Sequence, residues 1–228
     1  MLLVLLLTKA IIVGNNSVSA LTVNGMDIDD VDNFQYLGSY MSNYGDVTYD
    51  MCTRIGKASS VFRRLCPIWR SKNTKLCLYT SVVIPTAIYA RETWKTTEKT
   101  RRMLDVFNRR CLRNILGISW KDHVTNADLL HRTGMMNLQD IVADRRRRFI
   151  GHILRLPLSR PASTALQWIP EGGNKPKGRP KKTWQDTLRE DRRMMDVADN
   201  CEEAMMIAND RTRWQNLVAQ CSYGNRRT

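Results

Sequence analysis

With 228 residues, 43% hydrophobic and 25% charged, the chain is long enough for one large domain or two small ones, and roughly 70% of its unfolded surface can be buried, so a deficient core is excluded as its problem. The net charge of +14 is uneven, −5 over residues 1–50, +16 over 51–168 and +3 over 169–228; the polycationic middle puts nucleic acid (RNA, DNA or a hybrid) first among partners, ahead of a merely solvated basic surface or one meeting anionic lipid. Six cysteines contain no Cys-x-x-Cys pair and three histidines complete none, which argues against a zinc site and for reduced, mostly buried thiols in an intracellular, nuclear or cytoplasmic protein, disulfides being the lesser reading.

Met1 to Leu7 is seven apolar residues with no basic residue ahead and Lys9 just behind. A bilayer span needs about 20, so this run reads as a buried strand, not as a membrane segment or secretory leader. Ala10 to Val13 is a short β-branched run, and Leu21-Thr22-Val23 and Met26-Asp27-Ile28 flank Asn24-Gly25, which suits a hairpin turn. Phe34 to Tyr40 supplies a further strand ending at Gly38 and the Asn43-Tyr44-Gly45 turn. Residues 1–45 are thus expected to be a small antiparallel β remnant.

From Val47 the period becomes helical. Met51, Ile55, Ala58, Val61, Phe62 and Leu65 form one stripe, with Arg54, Lys57, Arg63 and Arg64 off it, and Cys66-Pro67 ends the helix. A second helix starts near Asn73 and is broken or kinked by Pro85. A third runs from Glu98 to Leu116, with Thr97 as N-cap and Gly117 as its stop; Arg101, Arg102, Arg109, Arg110 and Arg113 are left for solvent or phosphate. Asn126 caps a short helix ending at Gly134, and Asn137 caps a longer one from Leu138 to Leu156.

That last helix contains Arg145-Arg146-Arg147-Arg148. Four consecutive cations span more than a turn, so at least two point outward, where one turn meets adjacent phosphates; arginines that only snorkel are the bland alternative. Pro170 to Lys182 is a Gly/Pro/Lys linker. Thr183 caps a helix through Met195, and Asn200 caps a final helical pair to Cys221. The fold expected is therefore mainly α: residues 1–45 as β remnant, 46–168 as a basic, thumb-like helical bundle, 169–182 as linker, and 183–228 as a C-terminal helical module.

Three strings stand in fixed order: Phe34-Gln35-Tyr36-Leu37-Gly38-Ser39, Gly151-His152-Ile153-Leu154-Arg155 and Gly178-Arg179-Pro180-Lys181-Lys182-Thr183-Trp184. Tyr89, Glu92 and Trp94, and Arg110 to Gly117, lie between them. As a series, over roughly Thr8 to Cys221, they resemble the C-terminal part of LINE-type (non-LTR) retrotransposon endonuclease–reverse transcriptases. The resemblance implies that Thr8-Lys9 is the Lys-bearing strand late in the palm, and that Phe34 to Ser39 is the hairpin holding the primer end, with Tyr36, Leu37 and Gly38 the positions in contact. It also implies the end of a palm, a thumb and a basic C-terminal region that grip template and primer. Ala90-Arg91 departs from the family's usual Gly-Ser pair.

Phosphoryl transfer needs carboxylates holding two metal ions about 4 Å apart. Asp29-Asp30 looks like the catalytic turn, but it lies only a few residues before Phe34 and no upstream strand offers a third carboxylate, so it reads as a solvated acidic turn. No catalytic or metal-binding residue is assigned, and no cofactor is expected for the isolated chain, although the parent enzyme would need Mg²⁺. The isolated chain is expected to be inactive.

Gly178-Arg179-Pro180, between Lys177 and Lys181-Lys182, also resembles an AT-hook core, with general phosphate contact preferred over groove readout. The nucleic-acid-binding candidates are accordingly Tyr36, Leu37, Gly38, Arg109, Arg110, Arg113, Arg145 to Arg148, Lys177, Arg179, Lys181 and Lys182. An architectural DNA binder using the hook, or a pseudogene product with no selected role, are the alternatives. His152 has no catalytic partner at helical spacing and reads as structural. The six tryptophans read as seals at core edges, with base stacking by Trp120 or Trp184 secondary.

Overall fold

The computed structural model describes residues 9–10, 22–23, 25–43, 45–68, 71–167, 182–197 and 201–224. The expected Met1 to Leu7 strand, Thr8, Lys177 and the hook residues Gly178 to Lys181 lie outside them. The architecture is mostly α with a small β region at the N-terminal end.

Three two-stranded pairings make up the β region. β1 (Lys9–Ala10) runs parallel to β4 (Asp29–Asp30). β2 (Thr22–Val23) is antiparallel to β3 (Met26–Asp27), with Gly25 at φ +77° in the turn. β5 (Asn33–Tyr36) is antiparallel to β6 (Ser39–Ser42). Two expectations change here. Asp29-Asp30 is a short strand, not a turn, although Asp29 is exposed. The single strand expected over Phe34 to Tyr40 is a tight hairpin, because Leu37 (φ +46°) and Gly38 (φ +79°) both take left-handed backbone and reverse the chain after Tyr36.

α1 (Thr48–Leu65) buries Met51, Ala58 and Phe62. Pro67 turns its end into a 3-10 segment, Cys66–Ile68. α2 (Lys72–Leu78) starts behind Ser71, whose hydroxyl accepts from Thr74 N at 3.2 Å. A wider π turn, Tyr79–Val83, then leads into α3 (Ile84–Ala87). The π turn is how the chain absorbs Pro85, which has no N–H to give and a ring that crowds the preceding turn. Tyr79 is fully buried, its hydroxyl donates to Asn108 Oδ1 at 2.7 Å, and burial pushes its pKa far up.

α4 (Glu98–Leu116) has both expected ends: a reciprocal Thr97–Thr100 capping box and Gly117 at φ +68°. α5 (Asn126–Thr133) is capped by Thr125, one residue before the expected Asn126. α6 (Leu138–Leu154) stops two residues before Leu156, and Asn137 occupies its N-cap without a side-chain bond. α7 (Pro161–Gln167) was not expected. α8 (Trp184–Met194) begins with a Thr183–Asp186 box, and α9 (Cys201–Asn209) and α10 (Arg211–Gly224) are the final pair.

Two apolar cores result, and α6 serves both. Its Leu138 and Val142 join Phe62, Tyr79, Leu104, Phe107 and Leu112 in the first. Its Ile150 and Leu154 join Leu188, Ala204, Trp214 and Val218 in the second. The four-arginine run falls between these two pairs, at the crossover. The cysteines depart from expectation: Cys52, Cys66 and Cys77 are exposed, while Cys111 is buried and its thiol is pushed up to about 12 by that burial. The exposed three lie on the outer faces of their helices, where a small side chain is tolerated.

Candidate nucleic-acid interface

The β5–β6 hairpin presents its tip outward. Tyr36 is 59% and Leu37 76% exposed, so neither belongs to a core. The tip is nevertheless fixed from beneath. Asp50, 1% exposed, accepts from Ser39 Oγ at 2.7 Å and from Tyr40 N at 2.9 Å. Arg54 pairs with Asp50 at 3.7 Å, donates through Nη2 to Gly38 O, and lies 4.3 Å over the Tyr89 ring. Tyr89 in turn donates its hydroxyl to Leu37 O at 3.3 Å.

Arg54, expected on the solvent side of α1, is therefore a buried strut. Its aliphatic stem and charge are both used, one i,i+4 step from Asp50. A β-hairpin tip is ordinarily mobile; here buried charge-assisted bonds hold a non-glycine residue in left-handed backbone with its side chain in water. That arrangement costs about 1 kcal/mol or more at Leu37 and gives the core nothing in return.

The segment Tyr89 to Trp94 separates two hollows. On one side Tyr89, Ala90 and Trp94 face Tyr36, Leu37 and Tyr40 across a cleft of about 560 Å³. On the other, Arg91 and again Trp94 line a larger cavity with Arg146 and Arg147. Ala90 sits at φ +59°, the kind of backbone that favours glycine. The expected family Gly at this position thus has a conformational reason, and this chain bears the strain of alanine instead.

The α6 arginines divide as the helical period requires. Arg145 and Arg148 face outward, their side chains 39% and 68% exposed, near Glu92 (4.0 Å) and Asp144 (2.9 Å). Arg146 and Arg147, both 4% exposed, turn inward onto Asp191 of α8. Arg146 Nε donates to Asp191 Oδ2 and its Nη1 to Thr96 Oγ1 at 3.0 Å, while Arg147 lies 3.6 Å from Asp191 Oδ1. As placed, these two are not part of an outer phosphate-facing surface, because they are buried and share one carboxylate, Asp191, 45 and 44 positions further along the chain.

Two of the strings that carried the resemblance, Gly151 to Arg155 and the described end of the third, Thr183-Trp184, come together near this crossover. Trp184 Nε1 donates to Glu92 O at 3.0 Å, and Thr187 accepts from Thr96 N at 3.1 Å. Trp214 Nε1 donates to Arg147 O at 3.1 Å, with its indole pressed on Gly151. Arg155 donates to Ala208 O at 3.0 Å, satisfying an orphan carbonyl at the end of α9. Gly151 to Arg155 and Thr183-Trp184 therefore dock the C-terminal helices onto α6. Trp184 is half-buried, which limits stacking; Trp120, 80% exposed beside Lys121, is open to it. His152 is exposed.

The remaining candidates are spread out. Arg110 is exposed on a groove between α1 and α4 that Arg63 and Arg102 share. Arg109 is partly exposed and lies 3.6 Å from Asp105. Arg113 donates to Val124 O and Asn126 Oδ1, tying α4 to the turn before α5. Lys182 is paired with Glu190 at 2.6 Å. Arg148 shares a cleft with His152, Arg155 and Arg211. The structure thus gathers Tyr36, Leu37 and Gly38 at one tip, and leaves the outward cations on separate faces. Asp50, Arg54 and Tyr89 were not singled out for this role from sequence; an Asp-x-x-x-Arg step just after a hairpin was the only signal. No helix among the described residues is long and apolar enough to cross a membrane, and no three His, Cys, Asp or Glu among them converge as a metal site.

Compared with known proteins, the chain is 22% identical over 201 residues to a transposon-derived protein of Caenorhabditis elegans, a match covering 84% of this chain and 71% of the relative. No family model matches it. No solved structure matches it.

Proposed function

We propose that this is a transposon-derived chain of the reverse-transcriptase type that binds nucleic acid and grips template and primer, without carrying out the chemistry itself. The likeness to a transposon-derived protein supports the transposon-related role. The observation that carries the binding role is the hairpin: Tyr36 and Leu37 project into water from a tip that Asp50, Arg54 and Tyr89 hold rigid. Exposed aromatic and apolar groups at the tip offer one element of sequence-tolerant strand binding, a stacking platform; the other, phosphate charge, would come from the outward cations on other faces.

The test is oligonucleotide affinity of Tyr36→Ala. Loss of one stacking contact is worth roughly 1–3 kcal/mol, so affinity for a single strand falls about tenfold, while the unfolding midpoint stays put because the ring is exposed. Unchanged affinity removes the hairpin from the interface.

A further inference from the structure

Among the described residues six charged side chains are buried: Arg54, Arg91, Arg146 and Arg147 against Asp50 and Asp191. Asp50 takes Arg54, and Asp191 is shared by Arg146 and Arg147. Arg91, 6% exposed, is left with the Trp94 ring 5.0 Å away and no carboxylate in ion-pair reach. Its Nη1 has no hydrogen-bond partner; Arg54 Nε and Arg147 Nε also lack one, but each faces a carboxylate at 3.6–3.7 Å. Buried positive charge therefore exceeds buried negative charge by two, and of the four buried arginines Arg91 alone has an unsatisfied N–H with no carboxylate before it. Groups of this kind are rarely left so without a ligand. Burial, with Arg146 nearby, lowers the Arg91 pKa to about 10 against the opposing field of Asp50, so it remains a cation at neutral pH.

Arg91, Arg146 and Arg147 line one cavity of about 920 Å³, whose seven lining cations, Lys95, Arg101 and Lys182 among them, outnumber its four carboxylates. An acceptor-only anion of one or two charges meets all of these demands together. Phosphate does so best, because guanidinium forks match its oxygens in pairs. Trp94 lines this cavity and also the hairpin cleft, so the two hollows adjoin at that ring and a strand resting on the hairpin lies next to the cavity.

We propose that the cavity framed by Arg91, Arg146 and Arg147 is a phosphate-binding site, occupied by a phosphodiester of the strand held at the hairpin. Only the source of the phosphate rests on the hairpin reading; the site itself does not. Arg91 is the receiving group, Arg146 and Arg147 add positive charge beside it, and Asp191 fixes these two α6 guanidinium groups in place without cancelling the excess.

The experiment is thermal unfolding of the full chain in pyrophosphate against potassium chloride at equal ionic strength, with a single-stranded oligonucleotide competition alongside. With pyrophosphate about 100-fold above its Kd, the midpoint rises by roughly 5–10 °C. Arg91→Met unfolds no lower than the parent in chloride, since it removes an uncompensated buried charge, and it loses the pyrophosphate shift. No shift in the parent, or a full shift retained in Arg91→Met, overturns the site. Displacement of the oligonucleotide by pyrophosphate supports the strand as occupant. A shift without displacement overturns the strand as the source and assigns the site to a free phosphate compound. A shift with no oligonucleotide binding at all overturns the hairpin reading and leaves the site standing.

Discussion

Gly151→Ala lowers stability by about 2–4 kcal/mol, against the usual rule that alanine in place of a mid-helix glycine gains about 1 kcal/mol. The sign is set by Trp214. A Cβ on residue 151 would lie 2.2 Å from the indole Nε1 and 2.6 Å from Cδ1 and Cε2, inside the contact distance of any side chain. Trp214 is 2% exposed and enclosed by the second core, so the ring has no free space to move into. Its displacement also breaks the bond from Nε1 to Arg147 O, leaving a buried donor and carbonyl unsatisfied. Overpacking of about 1–3 kcal/mol and a lost buried hydrogen bond of about 1–3 kcal/mol together outweigh the gain in helix propensity. Urea unfolding measures the difference; an unchanged or raised stability would mean that the indole does not rest on the α6 backbone.

Asp191→Asn costs about 3–5 kcal/mol. The amide keeps the shape of the carboxylate and removes its charge, so Arg146 and Arg147, each with a side chain 5% exposed, become buried cations with no counter-ion. In the Asp191→Asn background, Arg146→Met recovers part of the loss, because one of the two stranded charges has gone. Chemical denaturation of the two single variants and the double variant closes the cycle. A cost below about 1 kcal/mol for Asp191→Asn is the behaviour of a water-screened surface pair and would contradict the buried cluster.

What could be read from sequence was what is decided locally. α4 was legible at both ends because its cap Thr97 and its stop Gly117 act within a few residues. α5 shifted by one because Thr125 and Asn126 are both competent caps and the earlier one took the position. α7, seven residues long, offers too few turns for an apolar period to show. The hairpin was recognised as a string but its turn was misplaced, since Leu37 is a poor sequence signal for positive φ.

The fate of the arginines was legible only in part. Helical geometry required that at least two of Arg145 to Arg148 point outward, and Arg145 and Arg148 do. Which charges are internal depended on partners far off in the chain, Asp191 for Arg146 and Arg147, and Asp50 beneath the hairpin for Arg54. Likewise Gly151 stood out in its motif, but the reason for a missing side chain lies on α10. Some of the cationic excess that first indicated nucleic acid is thus consumed in holding the fold together. In the proposed binding role the contacts are the hairpin tip and the cations left outside, chiefly Arg110, Arg145 and Arg148.

The most direct test of that role is the affinity of the full chain for a single-stranded oligonucleotide as a function of salt. A strand held by four or more phosphate contacts, each contributing roughly −0.7 to the slope, gives log K falling against log[salt] with a slope of about −3 or steeper. Absence of binding at low salt, or an affinity that does not change with salt, would contradict it.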